Sequence, residues 1–186
     1  MSEVRYIEAP RMFANSGLPA PYIFLAGGIT GCPDWQAEAV AELSRDDGTG
    51  RPLWPCTILN PRRAEFPMDD PTAAEEQITW EHQALRAADI NVFWFCKETD
   101  QPIVLFELGA TMERLWNHED DEAADWDKGL HLVVGVEAGY SRIQDVEIQT
   151  KLALGYRRQL DRTFDQFLNS IKSHINWFHD SFGKPE

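Results

Sequence analysis

The chain has 186 residues, with 31 acidic against 17 basic side chains and a formal net charge of −14. So acidic a surface repels polyanions, which excludes duplex DNA or long RNA as an expected partner and leaves small molecules open. The length suits one domain with a sizeable core, no apolar run reaches the roughly 20 residues of a membrane span, and no export segment opens the chain, so a cytoplasmic location is expected.

Residues 1–20, with Pro10, Gly17 and Pro19, read as an irregular leader or an added edge element, and a single α/β domain is expected over 21–186. Tyr22–Ala26 is a short apolar run that ends in Gly27-Gly28 and is read as a strand. Asp34 is placed to cap a helix running to about Ser44, with Trp35, Ala39, Val40 and Leu43 at helical spacing. Cys56–Leu59 is the next strand and is stopped by Asn60-Pro61. Thr72 begins a helix to about Ala88, which carries Trp80 and Glu81.

Ile90–Phe95 is apolar at nearly every position, as a central parallel strand should be. Pro102 opens a helix to about Trp116, and the stretch 117–129 is acidic and read as a solvated loop. His131–Val136 is a further strand, and a helix follows from about Asp145 to Leu154. The segment 161–178 is amphipathic, with Phe164, Phe167, Leu168, Ile171, Ile175 and Phe178 on one stripe that suits a core or a subunit interface. Alternating strands and helices with short connections imply a doubly wound, mostly parallel open sheet with helices on both faces, flavodoxin- or Rossmann-like.

In such folds ligands sit beyond the carboxyl ends of the strands. Three segments of unusual composition fall there: Gly27-Gly28, Asn60-Pro61-Arg62, and the stretch from Cys96 to Glu107. The paired glycines match neither Gly-x-Gly-x-x-Gly nor a P-loop, yet permit close backbone approach to a ligand. Glu107 stands between Phe106 and Leu108, and a carboxylate in apolar surroundings costs several kcal/mol unless paired or put to chemical use. Its alternative is a helix-start Glu favoured by the macrodipole. Glu81 gains interest if it faces Glu107, whereas Asp89 most simply caps a helix end or positions the next loop. Arg62, Arg63 and Arg142 are candidate phosphate contacts. Cys32, Cys56 and Cys96 are widely spaced and suit reduced, packed thiols, and without close Cys/His pairs no metal site is expected.

The segments Phe24-Leu-Ala-Gly-Gly-Ile29, Trp80-Glu81 with Leu85 and Asp89, Phe93-Trp-Phe95, and Glu107-Leu-Gly-Ala110 together resemble the nucleoside 2-deoxyribosyltransferase family and its nucleotide N-glycosidase relatives. The likeness spreads over about residues 21–155. It implies cleavage of the N-glycosidic bond of a (deoxy)nucleoside or nucleotide. Glu107 would be the nucleophile that forms a covalent glycosyl-enzyme, with Glu81 assisting departure of the base. It further implies substrate contacts from Gly27, Gly28, Asp89, Asp100 and Trp80, no metal or organic cofactor, and a homo-oligomer. The rival readings are a nucleotide N-glycoside hydrolase and a non-catalytic nucleotide-binding module. One departure stands out: six residues before the nucleophile, where the family usually places Asp or Ser to hold the sugar, this chain has Gln101, with Asp100 adjacent.

Overall fold

The computed structural model describes residues 3–13, 17–119, 131–154 and 160–182. Its elements run β1 (Val4–Glu8), β2 (Tyr22–Gly27), α1 (Trp35–Leu43), β3 (Cys56–Asn60), α2 (Ala73–Ala87), β4 (Ile90–Phe95), α3 (Pro102–Glu119), β5 (His131–Val136), α4 (Ile143–Leu154) and α5 (Phe164–Phe182). The five strands form one parallel sheet in the order β1-β3-β2-β4-β5. Chain order reverses at β2, which lies between β3 and β4. The doubly wound reading therefore holds.

Alternation along the strands divides the core into two layers. Phe24, Ala26, Leu59, Phe93, Phe95 and Val134 point to one face and pack on Trp80 and Leu85 of α2, Leu108 of α3 and Val146 of α4. Ile23, Leu25, Ile58, Val92, Trp94 and Val133 point to the other, against Trp35 and Leu43 of α1 and Phe167 and Ile171 of α5. Complete burial of such side chains contributes about 1.5–3 kcal/mol each, which is what fixes both layers to the sheet.

Of the two alternatives for the N-terminal stretch, the structure holds an added edge strand: β1 pairs with β3 from Val4↔Cys56 to Glu8↔Asn60. Only Ile7 of that strand is buried, so its sequence lacks the apolar run that marks the central strands. Helix α3 runs on to Glu119, past the expected end near Trp116; the rest of the acidic 117–129 stretch lies outside the described residues. The C-terminal helix spans Phe164–Phe182, and its stripe is core: Phe167, Ile171 and Ile175 are fully buried against the sheet. Among the described residues no helix is long and apolar enough to cross a membrane.

Candidate active site

Parallel strands β2 and β4 pair from Ile23↔Ile90 to Gly27↔Trp94, so both deliver their carboxyl ends to one rim at the reversal of strand order. A cavity of about 330 Å³ opens there. That volume is at the small-molecule end of ligand pockets. Its lining comes from four places: the end of β2 and its loop (Phe24, Ala26 to Thr30), Pro61 after β3, Glu81 on α2, and Thr99 to Val104 with Glu107 on α3.

Glu107 sits in the second turn of α3, five residues after Pro102, and so beyond the first turn where a macrodipole role would suffice. Burial, then the neighbouring Glu81, pushes its carboxyl up to about 8. Glu81 is also raised by burial, against the lowering effects of a hydrogen bond from Gln77 and of Arg63. The bond from Gln77 Nε2 to Glu81 Oε1 is 2.7 Å, and the same nitrogen donates to the Pro61 carbonyl at 2.7 Å. Two half-buried carboxyl groups thus face one cavity, and Glu81 raises the proton affinity of Glu107 beyond what burial does, so a proton stays with the pair near neutral pH.

Gly27 and Gly28 form the adjoining wall, and at both an added Cβ would run into neighbouring atoms as they stand. A Cβ on Gly27 would lie 2.5 Å from the Trp94 carbonyl oxygen and 2.5 Å from the Trp35 ring; one on Gly28 would lie 2.3 Å from Cys32 Sγ. The Gly28 carbonyl accepts from Trp35 Nε1 at 3.1 Å, which ties the turn to α1.

Gln101 is the residue whose importance the sequence understates. It is 7% exposed, and among the described residues it is the one non-glycine with positive φ, +48°. That backbone region costs an L-residue about 1–2 kcal/mol. The following proline bars the ordinary helical alternative. Its Nε2 donates to the carbonyls of Cys96 (2.6 Å) and Thr99 (3.2 Å), which fixes the amide plane, while its buried Oε1 has no partner. The amide lies against Gly28, whose added Cβ would meet Oε1 at 2.9 Å. An unsatisfied acceptor is therefore buried against Gly28, behind the cavity wall. A buried orphan of this kind is costly unless a ligand donor meets it. Beside it Asp100 lines the cavity, and both its groups are engaged: the carboxylate accepts from the Ser141 hydroxyl, and the carbonyl from Tyr140 at 2.7 Å.

The structure therefore brings together Glu107, Glu81, Gly27, Gly28 and Asp100. It does not bring Asp89 or Trp80 to the cavity. Asp89 precedes β4 at the opposite, amino edge of the sheet, where Oδ2 accepts from the Tyr22 amide at 2.7 Å. Six extended residues put it roughly 20 Å from the rim, so a substrate contact is corrected to a strand-edge anchor. Trp80 is 4% exposed in the core, edge-on to Phe13, with Nε1 bonded to the Arg11 carbonyl at 2.8 Å; it supports Phe24, which lines the cavity, from behind.

Arg63 pairs with Glu76 at 2.9 Å, and Arg142 lies near Asp145 at 3.5 Å. Among the described residues no cation lines the cavity, and no three His, Cys, Asp or Glu side chains gather as metal ligands. The three cysteines are free thiols, and burial raises Cys56 to about 12 and Cys96 higher still, so both stay protonated.

Against known proteins, the sequence profile of one family, described as nucleoside 2-deoxyribosyltransferase like, matches residues 20–117. That span runs from the start of β2 into α3 and contains every cavity-lining residue. No curated protein matches the chain.

Proposed function

The chain belongs to the nucleoside 2-deoxyribosyltransferase-like family, and from that premise we propose that it cleaves the N-glycosidic bond of a nucleoside through a covalent glycosyl-Glu107 intermediate. The observation that carries the proposal is the Glu81–Glu107 pair sharing one cavity at the carboxyl edge of the sheet. In the first step a carboxylate oxygen of Glu107 bonds to C1′ as the C1′–N bond breaks, and the proton held by the pair goes from Glu81 to the departing base. In the second step an acceptor base attacks C1′, its proton passes to Glu81, and the Glu107 ester bond breaks. Water in place of the acceptor gives hydrolysis. The single proton of the pair is what both half-reactions need.

The substrate in this reading is an unphosphorylated nucleoside. Three carboxyl-bearing residues, Glu81, Asp100 and Glu107, face the cavity and no described cation does, so a 5′-phosphate would meet like charge with no described basic side chain to offset it. The test is direct. Purified protein is incubated with a panel of nucleosides and their 5′-monophosphates, with and without an excess of a second free base, and the products are separated. Nucleoside conversion with the sugar appearing on the added base is expected. Conversion confined to monophosphates, or equal conversion by a Glu107→Gln variant, would overturn the reading.

A further inference from the structure

Arg62 stands immediately beyond the cavity-lining Pro61, near the glycine turn, where a phosphate-binding arginine would be sought. Its bonds say otherwise. Nη2 donates to the carbonyls of Ile29 (2.5 Å) and Cys32 (3.1 Å); Nη1 donates to the Pro33 carbonyl (3.0 Å) and pairs with Asp34 Oδ1 (3.0 Å). A guanidinium has four terminal N–H groups; three bonds to carbonyls and the ion pair with Asp34 leave this one fully occupied. The side chain is only 13% exposed.

The partners all belong to the β2–α1 loop, residues 28–34, whose Gly28, Ile29 and Thr30 line the cavity. Within itself that loop has little to hold it. Gly31 is in the left-handed region at φ +73°, Pro33 brings no N–H, and the Cys32 amide reaches the Ile29 carbonyl at 3.3 Å. Its other carbonyl anchors come from outside: Trp35 and Gln36 on Gly28, and Arg62 on Ile29, Cys32 and Pro33. Asp34 adds a second link, since the oxygen paired with Arg62 also caps α1 through the Ala37 amide at 3.0 Å.

We propose that Arg62 is a positioning residue: it clamps the 28–34 loop into the shape of the cavity wall and is not a ligand for the substrate. A planar fork that bonds three carbonyls and a carboxylate at once is a geometry lysine cannot reproduce. The loop's register against Gln101 and Glu107 then depends on this side chain. For its catalytic consequence the inference rests on the nucleoside reading above; for its structural content it does not.

The experiment compares full-length wild type, Arg62→Lys and Asp34→Asn. Hydrogen–deuterium exchange is read first, without ligand. In Arg62→Lys the Cys32 amide, which is bonded to the Ile29 carbonyl inside the loop, should exchange at least tenfold faster, with β2 and β4 unchanged. Asp34→Asn removes the charge and keeps a capping side chain; it should give an intermediate increase, and it decides the matter if Arg62→Lys does not fold. Unchanged loop protection in the folded variants overturns the clamp. Kinetics are read second. KM for the nucleoside should rise five- to tenfold in Arg62→Lys with kcat within threefold, and the preference for nucleoside over its 5′-monophosphate should stay as in wild type. A loss selective for the monophosphate would make Arg62 a direct phosphate ligand and overturn the proposal. If the wild type converts no nucleoside at all, the functional reading fails, while the exchange result still decides the role of Arg62.

Discussion

Glu107 carries two consequences at the scale of one residue, one for rate and one for stability. On the proposed mechanism kcat/KM should be bell-shaped in pH, its alkaline limb near 8, where the coupled pair gives up its last proton and Glu81 can no longer serve as the acid. In Glu81→Gln the acid is gone and so is the like charge. The descending limb should vanish, leaving a much lower rate that climbs with pH through a Glu107 pKa below 8, though still above the usual carboxylate value because burial is its larger cause. A bell of unchanged shape in that variant would contradict the assignment. For stability, the folded state holds the Glu107 proton more tightly than the unfolded chain does. Wild type therefore loses stability as pH rises from the ordinary value of 4.5 to about 8, and the whole loss is present above that. Glu107→Gln should be inactive, yet more stable than wild type at pH 8.5 by on the order of 2 kcal/mol, with the difference fading towards pH 4. Urea unfolding at the two pH values measures it. Legibility at this scale was uneven. An acid between Phe106 and Leu108 announces Glu107, whereas Gln101 stands out in the sequence only as a departure from the family's usual Asp or Ser, and its trapped amide oxygen shows only in the structure. Asp89 could have been set aside from the sequence, since it precedes a strand whose far end opens on the cavity.

At the scale of elements, the two glycines after β2 have different tasks. The Cβ of Gly27→Ala would strike the Trp94 carbonyl, a backbone atom in the neighbouring strand, and the Trp35 ring. Neither can yield without parting sheet from helix, so a loss of about 1–3 kcal/mol and a lower Tm are expected. The Cβ of Gly28→Ala would strike the side chains of Cys32 and Gln101, which can turn away. Its fold should survive with little change in Tm while KM rises, because Gln101 leaves its place in the cavity wall; an equal fall in Tm for both variants would refute the distinction. The elements themselves were legible where burial is two-sided: β4 and β5 have the bounds that their apolar runs suggest. The edge strand β1, with one buried residue, left only two alternatives open. The α5 stripe could not declare its partner, because core and subunit contact ask for the same residues.

At the scale of the whole molecule, burial of the α5 stripe moves the search for a subunit contact elsewhere. Ile103 and Phe106 on α3 and Ile148 and Leu152 on α4 are all more than half exposed, on helices that pack side by side. Ile103 also lines the cavity. A second copy covering this face would narrow the cavity mouth, so Phe106→Asp should yield a smaller species in light scattering after gel filtration and a higher KM; a wild type already monomeric at assay concentration would remove that role. The two layers of the core also divide the site. Both carboxyl groups arrive from α2 and α3 on one face of the sheet, whereas the glycine turn is held by Trp35 and α1 from the other, with Arg62 behind it. The two carboxyls and the glycine turn are thus held from opposite faces of the sheet and meet at the rim. On the proposed reading, drift among the residues around α1 and the 28–34 loop would retune which nucleoside is accepted without disturbing the acids, which gives descendants of this fold a way to change diet while inheriting the same chemistry.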